Sequence, residues 1–228
     1  MKNAVAIIPA RGGSKGIPLK NLIKFCDKPL LAWSIEQALS SKKIDSVWVS
    51  SDNDEILKIS ENFGAKAILR PAEISTDTAS SESAWLHGLN YLESLNIDVS
   101  EIIGLQATSP LRKADDIDNA LSKFYENNLD SIFSVVEIED FFMWRKNNLM
   151  KPESINYDYK KRLPRQRIER KYLENGSFYI FNASKFKNAK NRINGKIGMY
   201  TMEKFQMFQI DNPEDVSLCE IIMKSFIL

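Results

Sequence analysis

The sequence predicts an α/β fold, a mainly parallel sheet in a three-layer α/β/α arrangement. Three observations carry this expectation. Short apolar runs alternate with amphipathic stretches along the first two-thirds of the chain. Several of those runs are continuously apolar, as strands covered on both faces are. With 228 residues, 43% of them hydrophobic, the chain is long enough for one domain with a sizeable core.

Each element follows in order. "AVAII" (4–8) is the first buried strand. Helical spacing comes next in "PLLAWSIEQALSSKK", with Leu31, Ile35, Ala38 and Leu39 on one stripe and Pro29 near the start. "SVWVS" (46–50) is a second strand, and "DNDEILKISENFG" a helix with an Asp-rich beginning and Gly64 at its end. "AKAIL" (65–69) is a strand, "ASSESAWLHGLNYLESL" a helix and "EIIGLQ" (101–106) another buried strand. "ADDIDNALSKFYENN" is a helix and "DSIFSVV" the strand after it. The rhythm then breaks between about residues 137 and 175, where no period is clear and seven of the twelve residues from Lys160 to Lys171 are basic. The sheet resumes with "SFYIF" and "FQMFQI", and a last helix begins near Pro213. The expected organisation is a single domain, 1–228, with 137–175 inserted as a projection from the sheet.

Composition narrows the function classes. Lys and Arg number 31 against 30 Asp and Glu, so no global field argues for nucleic acid or an anionic membrane. No apolar run approaches the roughly 18 residues of a membrane span, and too few apolar residues precede Pro9 for a secretory signal. Cys26 and Cys219 lie far apart and outside any CxxC pattern, which is the usage of reduced thiols in a cytoplasmic protein. His87 is the one histidine, so a His-rich zinc site is impossible and a Ser-His-Asp triad has a single available base. Its helical context favours a structural role.

Ligands in parallel α/β sheets sit outside the carboxyl ends of the strands. The loop "PARGGSKGIPLKN" falls there, together with Ser50-Ser51-Asp52 and Gln106 to Pro110. Gly12, Gly13 and Gly16 let the backbone turn its N–H groups toward a ligand, and Arg11, Lys15 and Lys20 add positive charge. That combination suits a polyphosphate. The order Ser14-Lys15-Gly16 departs from the Walker pattern, and GxGxxG is absent. A glycine-rich turn with solvated cations explains the Gly-Gly pair equally well; the length and position of the whole run favour phosphate.

"IIPARGGSKGIPLKN" resembles the first motif of the cytidylyltransferases that activate sialic-acid-like sugars, the CMP-N-acylneuraminate synthetases. "SSDNDEI", "RPAEISTDTASS", "LQATSPLR", "RQ", "ENGSFYIF" and "QIDNPED" match further motifs in the same order along almost the whole chain. The resemblance implies a Rossmann-like nucleotidyltransferase fold with an inserted dimerisation subdomain. The implied reaction is CTP + nonulosonic acid → CMP-sugar + pyrophosphate, assisted by Mg²⁺, with Mn²⁺ an acceptable substitute.

By the same resemblance, Ala10, Gly12, Gly13 and Ser14 wrap the triphosphate, and Arg11 and Lys20 neutralise its charge. Lys15 is either a further phosphate contact or a rim charge. Asn21, Arg70 and Ser81 match cytidine-contacting positions, although Arg70 also fits a surface arginine at a strand end. Gln106 faces the sugar, Thr108, Ser109 and Arg112 help place it, and Asn175 and Ser177 line its pocket. Asn175-Gly176 is equally a plain turn signal. Asp211 is the metal ligand, an oxygen donor of the kind Mg²⁺ prefers. The family often carries Asp-Ile-Asp where this chain has Gln209-Ile210-Asp211; alternation along the expected strand puts 209 and 211 on one face. Asp215 belongs to the first turn of the last helix. Arg165 and Gln166 reach the neighbouring subunit's sugar in a homodimer, with Phe141, Phe142, Met143 and Trp144 as its apolar contact. An RNA-binding patch is the rival reading of the basic run, and a near-neutral chain without an RNA-binding motif weakens it. A Kdo-type cytidylyltransferase and a non-catalytic nucleotide-binding module are the alternatives of function.

Overall fold

The computed structural model describes residues 3–139 and 142–228, and the side chain of Arg165 also lies outside the description. Seven strands form one sheet in the order β11-β7-β10-β6-β1-β4-β5. They are β1 (Ala4–Pro9), β4 (Ser46–Ser51), β5 (Lys66–Leu69), β6 (Glu101–Leu105), β7 (Ser131–Ile138), β10 (Lys171–Asn182) and β11 (Ile197–Met202). Neighbours pair in parallel except at β10, which runs antiparallel to both β6 and β7. The mainly parallel sheet expected from the apolar runs is therefore present, with one reversed strand inside it. Two small hairpins complete the strands, β2 (Lys24–Phe25) with β3 (Lys28–Pro29), and β8 (Trp144–Lys146) with β9 (Pro152–Ser154).

Period-two alternation sends β1 side chains to two cores. Ala4, Ala6 and Ile8 meet Leu31 and Ile35 of α1 (Leu30–Leu39), Ile56 of α2 (Asp54–Asn62) and Ile117 and Leu121 of α4 (Ala114–Glu126). Val5 and Ile7 meet Trp85, Leu89 and Leu92 of α3 (Ser81–Ser94) and Phe186 of α5 (Ala183–Ala189). The sheet is thus covered on both faces, which explains why its central strands read as unbroken apolar runs. A third cluster seats α6 (Pro213–Phe226) through Cys219, Ile222 and Met223 against Phe25, Leu30 and Trp33.

Three local expectations are corrected. The strand expected over "FQMFQI" is a 3₁₀ turn, Lys204–Met207, followed by irregular chain; the edge strand is β11 instead. Gln206 decides this: it is buried and its Nε2 donates to the Leu111 carbonyl at 2.9 Å, a bond a strand geometry would not need. Alternation therefore says nothing about residues 209 and 211. Leu39, placed on the buried stripe of α1, is 48% exposed at the end of that helix. The irregular block is bounded by β7 and β10, which extend to Ile138 and back to Lys171, and it contains the β8–β9 hairpin and two 3₁₀ turns. Phe141 lies outside the described residues; Met143 and Trp144 are exposed on the hairpin.

Candidate active site

The carboxyl ends of β1, β5 and β6 open onto a cleft of about 290 Å³. One wall is the loop after β1, contributing Arg11, Gly13, Ser14, Lys20 and Asn21. The opposite wall runs from Ile74 to Ser81 and continues into the first turn of α3. Gln106, Ala107 and Thr108 close it at the end of β6. Ser80 caps α3, its Oγ accepting the Ser83 N–H at 3.2 Å, so the positive end of that helix faces the cleft.

The loop glycines do different jobs. Gly13 has open space where a side chain would stand, beside the cleft. Gly12 packs on the α2 cap, where a Cβ would lie 2.9 Å from Asn53 Cβ, and its N–H donates to Asp52 at 2.9 Å. Gly16 lies against the segment around Asp211: a Cβ there would be 2.3 Å from the Asp211 carbonyl oxygen. Ala10 is buried and ties the loop to β4 by donating its N–H to the Ser50 carbonyl.

Positive charge converges on this cleft. Arg70 is 5% exposed, donates through Nε to Ser75 Oγ at 2.9 Å and stands 4.0 Å from Asp52. Burial lowers its pKa, and Asp52 opposes that shift. Asn21 is buried and fixes the loop by donating to the Arg11 carbonyl. Arg11 donates to the Thr76 carbonyl at 2.9 Å and pairs with Asp77 at 3.0 Å. Lys15 pairs with the same carboxylate at 3.0 Å, and its hydrogen bond holds Asp77 below the usual carboxylate range. Lys20 bridges the cleft to the chain before α6, donating to the Ile210 carbonyl at 3.0 Å and to Asp211 Oδ1 at 2.8 Å.

Asp211 itself is not part of the cleft lining; it joins through Lys20. Gln209 is turned elsewhere, its Nε2 donating to the Asn175 carbonyl at 2.5 Å. Asn175 also leaves the cleft: its side chain is buried and donates to the Gln206 carbonyl at 3.1 Å. Gln106 lines the cleft, with Gly176 against it: a Cβ there would be 3.6 Å from Gln106 Oε1. Thr108 lines the cleft, whereas Ser109 is buried with no partner for its Oγ. Gln166 is exposed on a 3₁₀ turn of the irregular block and is not among the described residues that line the cleft; the side chain of Arg165 lies outside the description.

Arg112 is corrected outright as a sugar contact. All its N–H groups are spent inside the fold, on Ser34 Oγ, Gln37 Oε1, the Gln106 carbonyl and both Oγ and the carbonyl of Ser177. It is 1% exposed, and burial pushes its pKa down to about 9. Ser177 is held in the same network. His87 has an unpartnered, buried Nδ1, and burial followed by the charge of Arg70 lowers its pKa.

Two acids at the cleft were given no role by the sequence, although Asp52 was placed at the ligand-binding edge and Asp77 lies within the quoted motif "RPAEISTDTASS". Asp52 had a positional signal, since it follows directly on β4 at the carboxyl edge of the sheet. Asp77 had no signal for its partner: it sits among Ser and Thr, and only the fold brings it to Arg11.

A family model described as cytidylyltransferase matches residues 5–225. The pseudaminic acid cytidylyltransferase of Campylobacter jejuni is 32% identical over 98% of this chain and 97% of its own length. N-acylneuraminate cytidylyltransferases of Oncorhynchus mykiss and Escherichia coli are 35% and 33% identical over 96% of this chain. The chain spans about half the length of those two relatives, 50% and 52%. Among solved structures, a 4-diphosphocytidyl-2C-methyl-D-erythritol synthase superposes with a TM-score of 0.71 at 11% identity, covering 98% of this chain and 100% of its own. A CMP:2-keto-3-deoxy-manno-octonic acid synthetase complexed with CTP superposes with a TM-score of 0.68 at 18% identity, covering 98% and 99%. At such identities these two speak to the fold alone.

Proposed function

This chain belongs to the cytidylyltransferase family, and we propose that it transfers the cytidylyl group of CTP to a nonulosonic, sialic-acid-like sugar. The observation that carries the reading is the convergence of Arg11, Lys20 and Arg70 on one cleft beside an open glycine and a helix N-terminus. The anomeric hydroxyl oxygen attacks the α-phosphorus, the bond to the β-phosphate breaks, pyrophosphate leaves and the hydroxyl proton is shed to solvent. In such a transfer the protein acts mainly by positioning and by stabilising charge. Arg11 and Lys20 face the phosphates, Gly13 and Ser14 admit them, Asn21, Arg70 and Ser81 hold the nucleoside, and Gln106 and Thr108 meet the sugar.

Mg²⁺, or Mn²⁺ in its place, fits the residues present. Among the described residues no cluster of three His, Cys, Asp or Glu could cage an ion. Asp211 is a single exposed carboxylate whose partner is Lys20, and Mg²⁺ is commonly held by one or two carboxylates plus phosphates and water. When bound, the ion supplies charge neutralisation on the phosphates. Asp211 would hold it; Gln209, committed to Asn175, would not.

The chain is further proposed to work as a homodimer in the cytoplasm. Exposed Met143 and Trp144 support the pairing, in which Arg165 and Gln166 serve the partner's sugar site. Two free thiols and the need for CTP support the compartment. No described helix is long and apolar enough to cross a membrane.

Pyrophosphate release from CTP with Mg²⁺ tests the reading, across pseudaminate, N-acetylneuraminate, its deaminated relative, legionaminate and Kdo, with UTP and ATP as controls. Release is expected with CTP and a nine-carbon acid. Tight CTP binding without release for any acid would sink the transfer reaction.

A further inference from the structure

The wall from Ile74 to Ser81 is fastened at both ends. Ser75 Oγ accepts from Arg70 Nε and donates to the Pro71 carbonyl, each at 2.9 Å. At the other end Ser80 caps α3. Between these anchors, residues 76–78 reach across to the β1 loop through a single carboxylate and a single carbonyl: Asp77 to Arg11 and Lys15, and the Thr76 carbonyl to Arg11. Asp77 is the one acidic side chain in the cleft lining among the described residues. It occupies two of the loop's three cations, the same groups that a polyphosphate would need.

We propose that Asp77 is a built-in competitor for the phosphate site, a latch whose carboxylate stands where phosphate oxygens bind. This rests on the reading of the cleft as a nucleoside triphosphate site. An entering triphosphate takes Arg11 and Lys15 from Asp77 and frees residues 76–78. The carboxylate then repels the bound phosphates, and its return to Arg11 and Lys15 helps expel pyrophosphate. Asp77 is half exposed and its partners are exposed at 34% and 79%, so the two pairs are weak enough to exchange. A carboxylate buried behind the loop could not act in this way.

The test is Asp77→Asn, which keeps size and removes charge, with Glu126→Gln on the exposed end of α4 as a control for the loss of one negative charge. Hydrogen exchange of residues 10–16 and 75–80 is measured without any nucleotide, and binding of CTP and of inorganic pyrophosphate is measured by calorimetry. In Asp77→Asn, faster exchange in both segments is expected, and affinity for both ligands should rise by roughly 2- to 30-fold, the factor for two exposed ion pairs. Glu126→Gln should change neither. Exchange unchanged in Asp77→Asn overturns the latch whatever the ligands do. Faster exchange with unchanged or weaker binding overturns the competition. Failure of the parent protein to bind CTP or pyrophosphate overturns the competition through the triphosphate reading, and the exchange data still report whether the contact exists.

Discussion

Arg11 lines the cleft, whereas Arg112 is buried beneath its floor, and the two do opposite work. Arg112 lies beneath Gln106 with every N–H donor spent on α1, β10 and the end of β6. Arg11 is a third exposed, and the partners it has are only the Thr76 carbonyl and Asp77, on the opposite wall of the cleft. One guanidinium is therefore scaffold, and the other is the proposed reagent. What separates them is not residue type or charge but how many donors the fold has already used. Arg112 keeps its proton at neutral pH, since its lowered pKa of about 9 is still above 7. Its charge holds the floor of the cleft in place rather than meeting a ligand.

Replacing Arg112 breaks the scaffold side of that contrast, and it has the largest effect. Arg112→Leu strands Ser34, Gln37 and two carbonyls in a dry interior. A loss of about 3–5 kcal/mol is expected from urea unfolding. If the variant is as stable as the parent but inactive, Arg112 belongs with the reagents and the contrast fails. Arg11→Ala should behave in the opposite manner. Unfolding midpoints should stay close to the parent's, since its ion pair is exposed. Turnover should fall about 100-fold, the scale of one lost preorganised charge contact. Stability lost in step with turnover would make Arg11 scaffold too.

The sequence exposed the scaffold and the reagent unequally. Strands such as "EIIGL" and the helix at "ADDIDNALSKFYE" were legible because burial on both faces of the sheet forces local apolar patterns. The β1 loop was legible because Gly-Gly-Ser-Lys-Gly at a strand's carboxyl end is a local signal. Arg112 and Asp77 were not, because most of what they touch is set by packing between elements far apart in the chain. The edge strand β11 was missed for a different reason: its outward-facing Ile197 and Met199 are as apolar as its inward-facing Met202, so no apolar–polar alternation marks it as an edge. Gln209 illustrates the risk of carrying over a motif without its surroundings, since its amide serves the irregular stretch of β10 at Asn175 and Gly176, where the pairing register shifts.

Asp215 tests a group that is partly scaffold and partly reagent, with the smallest expected effect. Its carboxylate accepts the N–H groups of Asp211 and Asn212 at 2.9 and 2.8 Å, capping α6 and fixing the backbone of the proposed metal ligand. Those hydrogen bonds, Asn212's first, hold it below the usual carboxylate value of 3.8. A carboxylate with a depressed folded pKa contributes its stability above the unfolded value and loses it as pH falls through the folded one. Asp215→Ala should therefore cost about 1 kcal/mol at neutral pH, the worth of a typical cap. The difference from the parent should shrink as the pH drops from about 4 toward the folded pKa. Unfolding curves of both proteins across that range decide it. A constant gap would mean that the carboxylate's charge plays no part in the cap. A gap that closes, with turnover reduced only slightly, would mean that Asp211 is held mainly by Lys20 and Gly16 on the reagent side of the cleft.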